Sequence, residues 1–466
     1  MKNKLITCLA AAGVLLGTGC KKFLDINVDP NNPIKVKEAQ ILGPVEMTTA
    51  TAIVGGQYGT VTSYWMQQLS LNQAYPSIES YTLTPGDLDN TWGYYLYPHT
   101  FQNLNIMIHQ AEQAHHNAYA AIGKTLFAYN LAITTDLWGN VPYKEALQLP
   151  AIMQPHYDKQ EDVYNGIQQL LDSALYFMSQ PAGELVPGEE DFIYGGDMTK
   201  WKKLVYTLKA RYYMRLSKAP GYTPAQQADK ALQALQNGFG ANTDNALIAY
   251  SGGPQAESPW YMNTSEASGG VVMAKSFIDS LLSRKDPRLS IIATKGNGGN
   301  YVGRKVGDVP AADPGSYSQV NKFYAAAGAS LYLATYSEAL FIKAEATLIK
   351  QGAVAAAPIY QAAIAQHMTV LGISPEAQQT YIASRPALTT ANALEQIITE
   401  KYVAGFLSPE TYNDWRRTGF PVLQPYQDEI FKDIPRRWPY SAGEVLANPQ
   451  PDQTATLKDR VWWDAK

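Results

Sequence analysis

The sequence predicts a mostly α-helical protein in which helical hairpins pack against a loop-rich, irregular subregion. Three observations predict this class. After about Lys37, apolar residues recur at helical spacing through most of the chain. Successive helical segments are similar in length and separated by short breaks. One stretch, about 242–328, instead collects Gly, Ser, Asn and Pro in the runs SGGPQ, SEASGG, GNGGNYVG and ADPGSYS.

The first element is a leader. Lys2 and Lys4 give it a positive start, and Leu5 to Leu16 is apolar, uncharged and too short to span a bilayer. Leu16-Gly17-Thr18-Gly19-Cys20 resembles a lipobox, with the leucine one place further from the cysteine than usual. Residues 1–19 therefore read as a lipoprotein signal peptide and Cys20 as the lipidated residue. The chain has two cysteines, Cys8 in the leader and Cys20, so the remaining body can hold neither a disulfide nor a thiolate metal site. Each buried methylene of an acyl chain contributes about 0.8 kcal/mol, so several chains would hold the protein on a membrane. Residues 20–36, containing FLDINVDPNNP, are too rich in Pro and Asn for a helix and suit an extended tether.

From 37 to 466 we expect a single helical domain with the loop-rich insertion at about 242–328. Its predicted helices are Glu38–Leu69, Thr91–His115, Ala118–Leu137, Gln160–Met178, Thr199–Ser217 and Ala225–Asn237. Within the insertion only Val271–Leu282 reads as helical. Helices return at Tyr336–Lys350, Pro358–Leu371, Pro375–Ser384, Thr390–Phe406 and Glu410–Thr418, and residues 421–466 are again irregular. The pair Tyr336–Lys350 and Pro358–Leu371 is near the length of a tetratricopeptide repeat, about 34 residues. Alanines 339, 344 and 346 on one helix and 362, 363 and 365 on the other allow close approach.

Composition narrows the function. Without Lys2 and Lys4 the chain has 35 basic against 41 acidic residues, a formal charge of −6, and no basic stripe, which argues against nucleic acid. Tyr (31) and Trp (9) together outnumber Phe (12) more than three to one, so polar-tipped rings dominate. They are densest from Tyr58 to Tyr97, with nine in 40 residues, among Gln67, Gln68, Asn72, Gln73, Asp87, Asp89 and Asn90. Flat rings can cover the apolar face of a sugar while amides and carboxylates bind its hydroxyl rim. Tyr75, Tyr81 and Trp92 stand between predicted helices near Pro76, Pro85 and Gly86. With Tyr94, Asn72 and Asn90 they are the first candidate ligand-binding group. A second comprises Trp260 and Tyr261 after Pro259, with Tyr301, Tyr317 and Tyr324 further along the insertion. The competing reading of each ring is helix packing.

Catalytic signals are poor, and no cofactor is implied. Gly123-Lys124-Thr125 lacks the first glycine of a phosphate loop and reads as mid-helix. Asp87-Leu88-Asp89-Asn90-Thr91 begins like a calcium loop but has Trp92 where the turn glycine should stand, so no metal site is assigned. Glu338 and Glu345 share a helix face, as salt-bridge formers sooner than as a glycosidase pair. Arg416-Arg417 and Arg436-Arg437 suit pairing with acids such as Asp414 and Glu444, pinning the C-terminal segment.

The ordered set of motifs resembles a family. Cys20 followed by KKFLDINVDPNNP, then TDLWGNVPYKEAL (Thr135–Leu147), YSEALFIKAEA (Tyr336–Ala346), ITEKYVAGF (Ile398–Phe406), YNDWRRTGFP (Tyr412–Pro421) and IPRRWPY is similar to the SusD/RagB nutrient-binding outer-membrane lipoproteins, in the branch with a starch-binding label. The resemblance implies a tetratricopeptide-like helical body and a variable loop-rich binding face. It also implies a lipid-anchored position at the outer membrane, on the cell surface, and a SusC-like TonB-dependent transporter as partner. The ligand would be an oligosaccharide, or alternatively a peptide, captured without catalysis. A helical glycoside hydrolase would instead release products, and an assembly lipoprotein would bind protein with no small-ligand affinity.

Overall fold

The computed structural model describes residues 36–264, 270–426, 432–449 and 454–465. The leader, Cys20 and the tether to residue 35 lie outside the described residues.

The periodic segments fold as helices, and the molecule is mostly α. Gln160–Met178 shows why: Val163, Tyr164, Ile167, Leu171 and Ala174 recur on one face, and all are buried. This helix forms a hairpin with Asn117–Trp138, and Met198–Arg215 pairs with Pro224–Leu235 in the same way. Their starts are fixed by local hydrogen bonds. Asp197 accepts from the N–H groups of Thr199 and Lys200 at 3.0 and 3.2 Å. Thr223 caps the helix that opens with Pro224. Tyr336–Gln351 and Ala353–Val370 form the alanine-rich hairpin, their shared core holding Phe341, Ala344, Ala356, Tyr360, Ala363 and Ile364. The second helix starts five residues earlier than expected, because Gly352, at φ +83°, already turns the chain.

Several expectations need correction. The predicted helix Glu38–Leu69 ends at Trp65 and is divided into Glu38–Met47, a wider-wound stretch Thr48–Gln57 and Tyr58–Trp65, with a non-helical Gly56. The predicted helix Val271–Leu282 is a strand, Val271–Met273, followed by the helix Lys275–Ser283. Its first three residues pair antiparallel with Leu69–Leu71, far away in sequence. Two further antiparallel ribbons, Val141–Pro142 with Tyr157–Asp158 and Ala246–Ile248 with Leu331–Ala334, complete the strands among the described residues. The insertion also holds the short helices Pro259–Thr264, Leu289–Ile292 and Lys322–Ala325.

The C-terminal segment crosses the helical body and is pinned there. Trp438 is fully buried against Tyr58, Trp65 and Trp138. Trp463 is fully buried too, and its indole N–H donates to Asp136 at 2.7 Å. The arginine pairs do the pinning. Arg416 donates to the carbonyls of Asp136 and Arg436, Arg417 binds Glu345 and Asp414, and Arg436 binds Asp464. Asp464, not Glu444, is thus the acid that holds Arg436. Glu444 instead accepts from Tyr157 and Trp92.

Candidate ligand-binding cleft

The two aromatic-rich stretches are brought together by the ribbon in which Leu69, Ser70 and Leu71 face Met273, Val272 and Val271. Arg304 ties them further. Its buried guanidinium donates to Glu79 at 2.8 Å, to Ser70 at 3.2 Å and to the carbonyls of Gln73 and Asp308. Burial pushes the Glu79 carboxyl above its ordinary range. The Leu71 N–H, Ser70 and Arg304 oppose that shift. With its charge balanced by Glu79 and both terminal nitrogens engaged, this cation fixes loop against loop instead of facing solvent.

Beside this tie opens a cleft of about 700 Å³, lined by Gln67, Tyr81, Lys275, Asp279, Lys305 and Tyr426 among others. At its edge Tyr75, 47% exposed, sets its ring 5.4 Å from that of Tyr426 at a 39° tilt. The Tyr426 backbone N–H donates to the Tyr81 hydroxyl at 3.0 Å, so Tyr81 fixes the loop that carries Tyr426. Gly307, at φ +90°, lies under the Tyr426 ring, where a Cβ would stand 2.7 Å from the ring. On the rim Lys275 and Asp279 form an exposed ion pair at 2.7 Å. Two of the cleft's cations, Arg304 and Lys275, thus already have carboxylate partners. The arrangement offers tilted aromatic surface beside polar groups, which suits a neutral, hydroxyl-rich molecule.

The remaining sequence-predicted residues are scattered. Asn72 is spent on structure: its amide donates to and accepts from the backbone of Ala311, both at 2.9 Å. Trp92 is buried and is no platform here. Its N–H donates to Glu444 at 3.1 Å, and its ring packs on Trp138, Tyr97 and Tyr440. Tyr81 is buried against Trp65, in a left-handed turn at φ +73°. Trp260 is buried against the helix around Gly59. Tyr261 is exposed on the short helix Pro259–Thr264. Exposed Asn90 and Tyr94 lie by the helix Thr91–Gln102, outside the residues lining the cleft, the Tyr94 ring against His99. Tyr426 was missed, although its setting, an aromatic after Pro425 in an irregular stretch, is the signal that singled out Trp260.

The carboxylates considered for other chemistry are engaged elsewhere. Asp87 accepts from Thr84, and Asp89 from Ser441 and the Gly443 N–H. Glu338 binds Arg211, and Glu345 binds Arg417. Lys124 lies mid-helix, paired with Glu112 at 2.8 Å. Among the described residues no group of three or more His, Cys, Asp or Glu is arranged to hold a metal ion.

A family model described as SusD-like, starch-binding and associating with the outer membrane, matches residues 30–441. The chain belongs to the SusD-like family. It is thereby placed among outer-membrane-associated proteins that bind glycans and other nutrients, a family of binding proteins. Solved structures agree on the fold. A protein named as chitin-binding superposes with a TM-score of 0.80 at 24% identity, covering 92% of this chain and 100% of its own. A SusD/RagB family protein from Bacteroides thetaiotaomicron gives 0.77 at 23%, covering 92% and 99%. A SusD homologue from Bacteroides fragilis gives 0.76 at 22%, covering 93% and 100%. No curated protein matches the chain. Among the described residues no helix is long and apolar enough to cross a membrane.

Proposed function

We propose that this SusD-like protein is a lipoprotein, anchored through Cys20 on the cell-surface side of the outer membrane, that captures a neutral oligosaccharide in the cleft beside Tyr75 and Tyr426. It hands the glycan, uncleaved, to a SusC-like TonB-dependent transporter, with residues 37–466 acting as one helical body. The observation that carries the reading is the pairing of exposed Tyr75 with half-buried Tyr426 at the edge of a cleft whose volume falls in the usual ligand range of about 300–1,000 Å³. The pairing of Arg304 and Lys275 with carboxylates supports a neutral ligand. The chitin-binding name of one structural neighbour, and the family's starch-binding description, support a glycan over a peptide. The engagement of Glu338 and Glu345 in ion pairs supports capture over hydrolysis.

The test is a glycan and peptide array probed with the mature chain in detergent, repeated with Tyr75→Ala and Tyr426→Ala. We expect one class of neutral glycan to bind. Each variant should lose about 2- to 12-fold in affinity, the effect of about 0.5–1.5 kcal/mol for one ring contact. Binding unchanged by both substitutions would displace the site. A signal confined to peptides would change the ligand class, and shortened glycan products would make the protein an enzyme.

A further inference from the structure

A second cleft, of about 440 Å³, opens at the other end of the Val271–Met273 strand. Thr294, Lys295, Asn297, Asp313, Tyr317 and Gln319 are among its lining residues. Its wall is built. Asn297 donates to Asp313 at 2.7 Å, and the other Asp313 oxygen accepts the Gly315 N–H at 2.8 Å. The Thr294 N–H donates to the Gln319 carbonyl at 2.9 Å, and the Gln319 N–H returns to the Thr294 hydroxyl at 3.1 Å. Tyr317 is half-exposed and lines this cleft, so it contributes ring surface to a polar wall.

The two clefts share their walls. Val271 lines the second and Ala274 the first, three residues apart, or about 10 Å at roughly 3.3 Å per residue. The excursion from Thr294 to Gln319 supplies side chains to both: Arg304 to Asp308 on one side, Lys295, Asn297 and Tyr317 on the other. Asn72 holds this excursion at Ala311, between the two sets. One rigid assembly therefore presents two polar clefts, each with tyrosine, separated by a few sugar units.

We infer that the second cleft is a separate carbohydrate subsite with Tyr317 as its ring platform, so that a linear oligosaccharide long enough to reach both clefts binds more tightly than a short one. This rests on the glycan-capture reading. Once one end is held, filling the second subsite is an intramolecular event, and its contribution appears only above a threshold length.

The experiment is titration calorimetry of the mature chain in detergent with two graded series, maltose to maltoheptaose and the chito-oligosaccharides from dimer to hexamer. It is repeated with Tyr317→Ala and Tyr75→Ala. In one series the affinity should rise by about 5- to 10-fold between the trimer and the hexamer, within the effect of one further ring contact. Tyr317→Ala should remove that rise while leaving short members within about twofold of the unsubstituted protein, whereas Tyr75→Ala weakens all lengths. Affinity that does not grow with length, or growth that survives Tyr317→Ala, overturns the second subsite and leaves the first intact. If no member of either series binds, the capture of a neutral glycan falls and the subsite with it.

Discussion

Glu46, in the helix Glu38–Met47, is fully buried beside Asp191 and accepts the Phe192 N–H at 2.7 Å. Asp191 already accepts the N–H groups of Ile193, Tyr194 and Gly196 and the indole of Trp201. Burial first, and the neighbouring Asp191 charge second, push the Glu46 carboxyl up to about 10 from 4.5. The folded state therefore holds a proton that the unfolded chain releases near pH 4.5. The contribution of Glu46 to stability is full below that pH and is lost as the pH rises toward about 10. Glu46→Gln is neutral at every pH and keeps the acceptor for Phe192. It should raise the melting temperature at pH 8 and change it little at pH 4, as thermal unfolding at the two pH values would show. An equal gain at both would mean that Glu46 is ionised in the fold. The same ambiguity of polar-tipped groups limited the reading of the site. Trp92 and Tyr81 have amphipathic rings near turn residues, the pattern expected of a ligand platform. Their polar tips serve Glu444 and the Tyr426 N–H inside the molecule, which no local pattern distinguishes from a tip facing ligand.

At the scale of elements, what was legible is what local periodicity governs. Gln160–Met178 and Glu410–Thr418 have the predicted ends, because their buried stripe and flanking residues are read within one segment. Val271–Met273 was read as helix because its partner, Leu69–Leu71, lies some 200 residues away and no local feature names it. The first long helix shows the same dependence on distant partners. At Gly55 a Cβ would lie 2.4 Å from Pro259 Cγ and 2.5 Å from Leu331 Cδ1, so the glycine is what lets Pro259 of the insertion and the strand Leu331–Ala334 sit against that helix. Pro259 Cγ belongs to a closed ring, and both neighbours are buried, which leaves little room for either to move away. Gly55→Ala should therefore cost about 1–3 kcal/mol as overpacking. Gly86→Ala, where nothing lies within 4 Å of the added carbon, should be nearly neutral. Chemical denaturation of the two variants checks this, and a neutral Gly55→Ala would show that the insertion yields more easily than its packing suggests.

Over the whole molecule, the C-terminal segment joins the cleft to the core. It contributes Gln424 and Tyr426 to the cleft and carries Trp463, fully buried beside Asp136. The arginine pairs of this region are legible as pins, and so is Asp414, three residues before Arg417 and bound to it; the other partners, Asp136, Glu345 and Asp464, converge only in three dimensions. Trp463 is the clearest test of whether the segment is part of the fold or a removable strap. Its indole supplies a donor to the buried Asp136, and its ring lies 4.5 Å from the Arg416 guanidinium and 5.3 Å from that of Arg215. Trp463→Ala would open a cavity and withdraw one partner from a buried carboxylate, at a cost of about 3–5 kcal/mol. If residues 37–466 act as one body, that loss should appear as a lower denaturation midpoint with an unchanged slope and a single transition. Two transitions, or a loss under about 1 kcal/mol, would mean that the segment detaches on its own. Tyr426 would then reach the cleft on a tether, and the aromatic pair at the cleft edge would have to form anew with each capture.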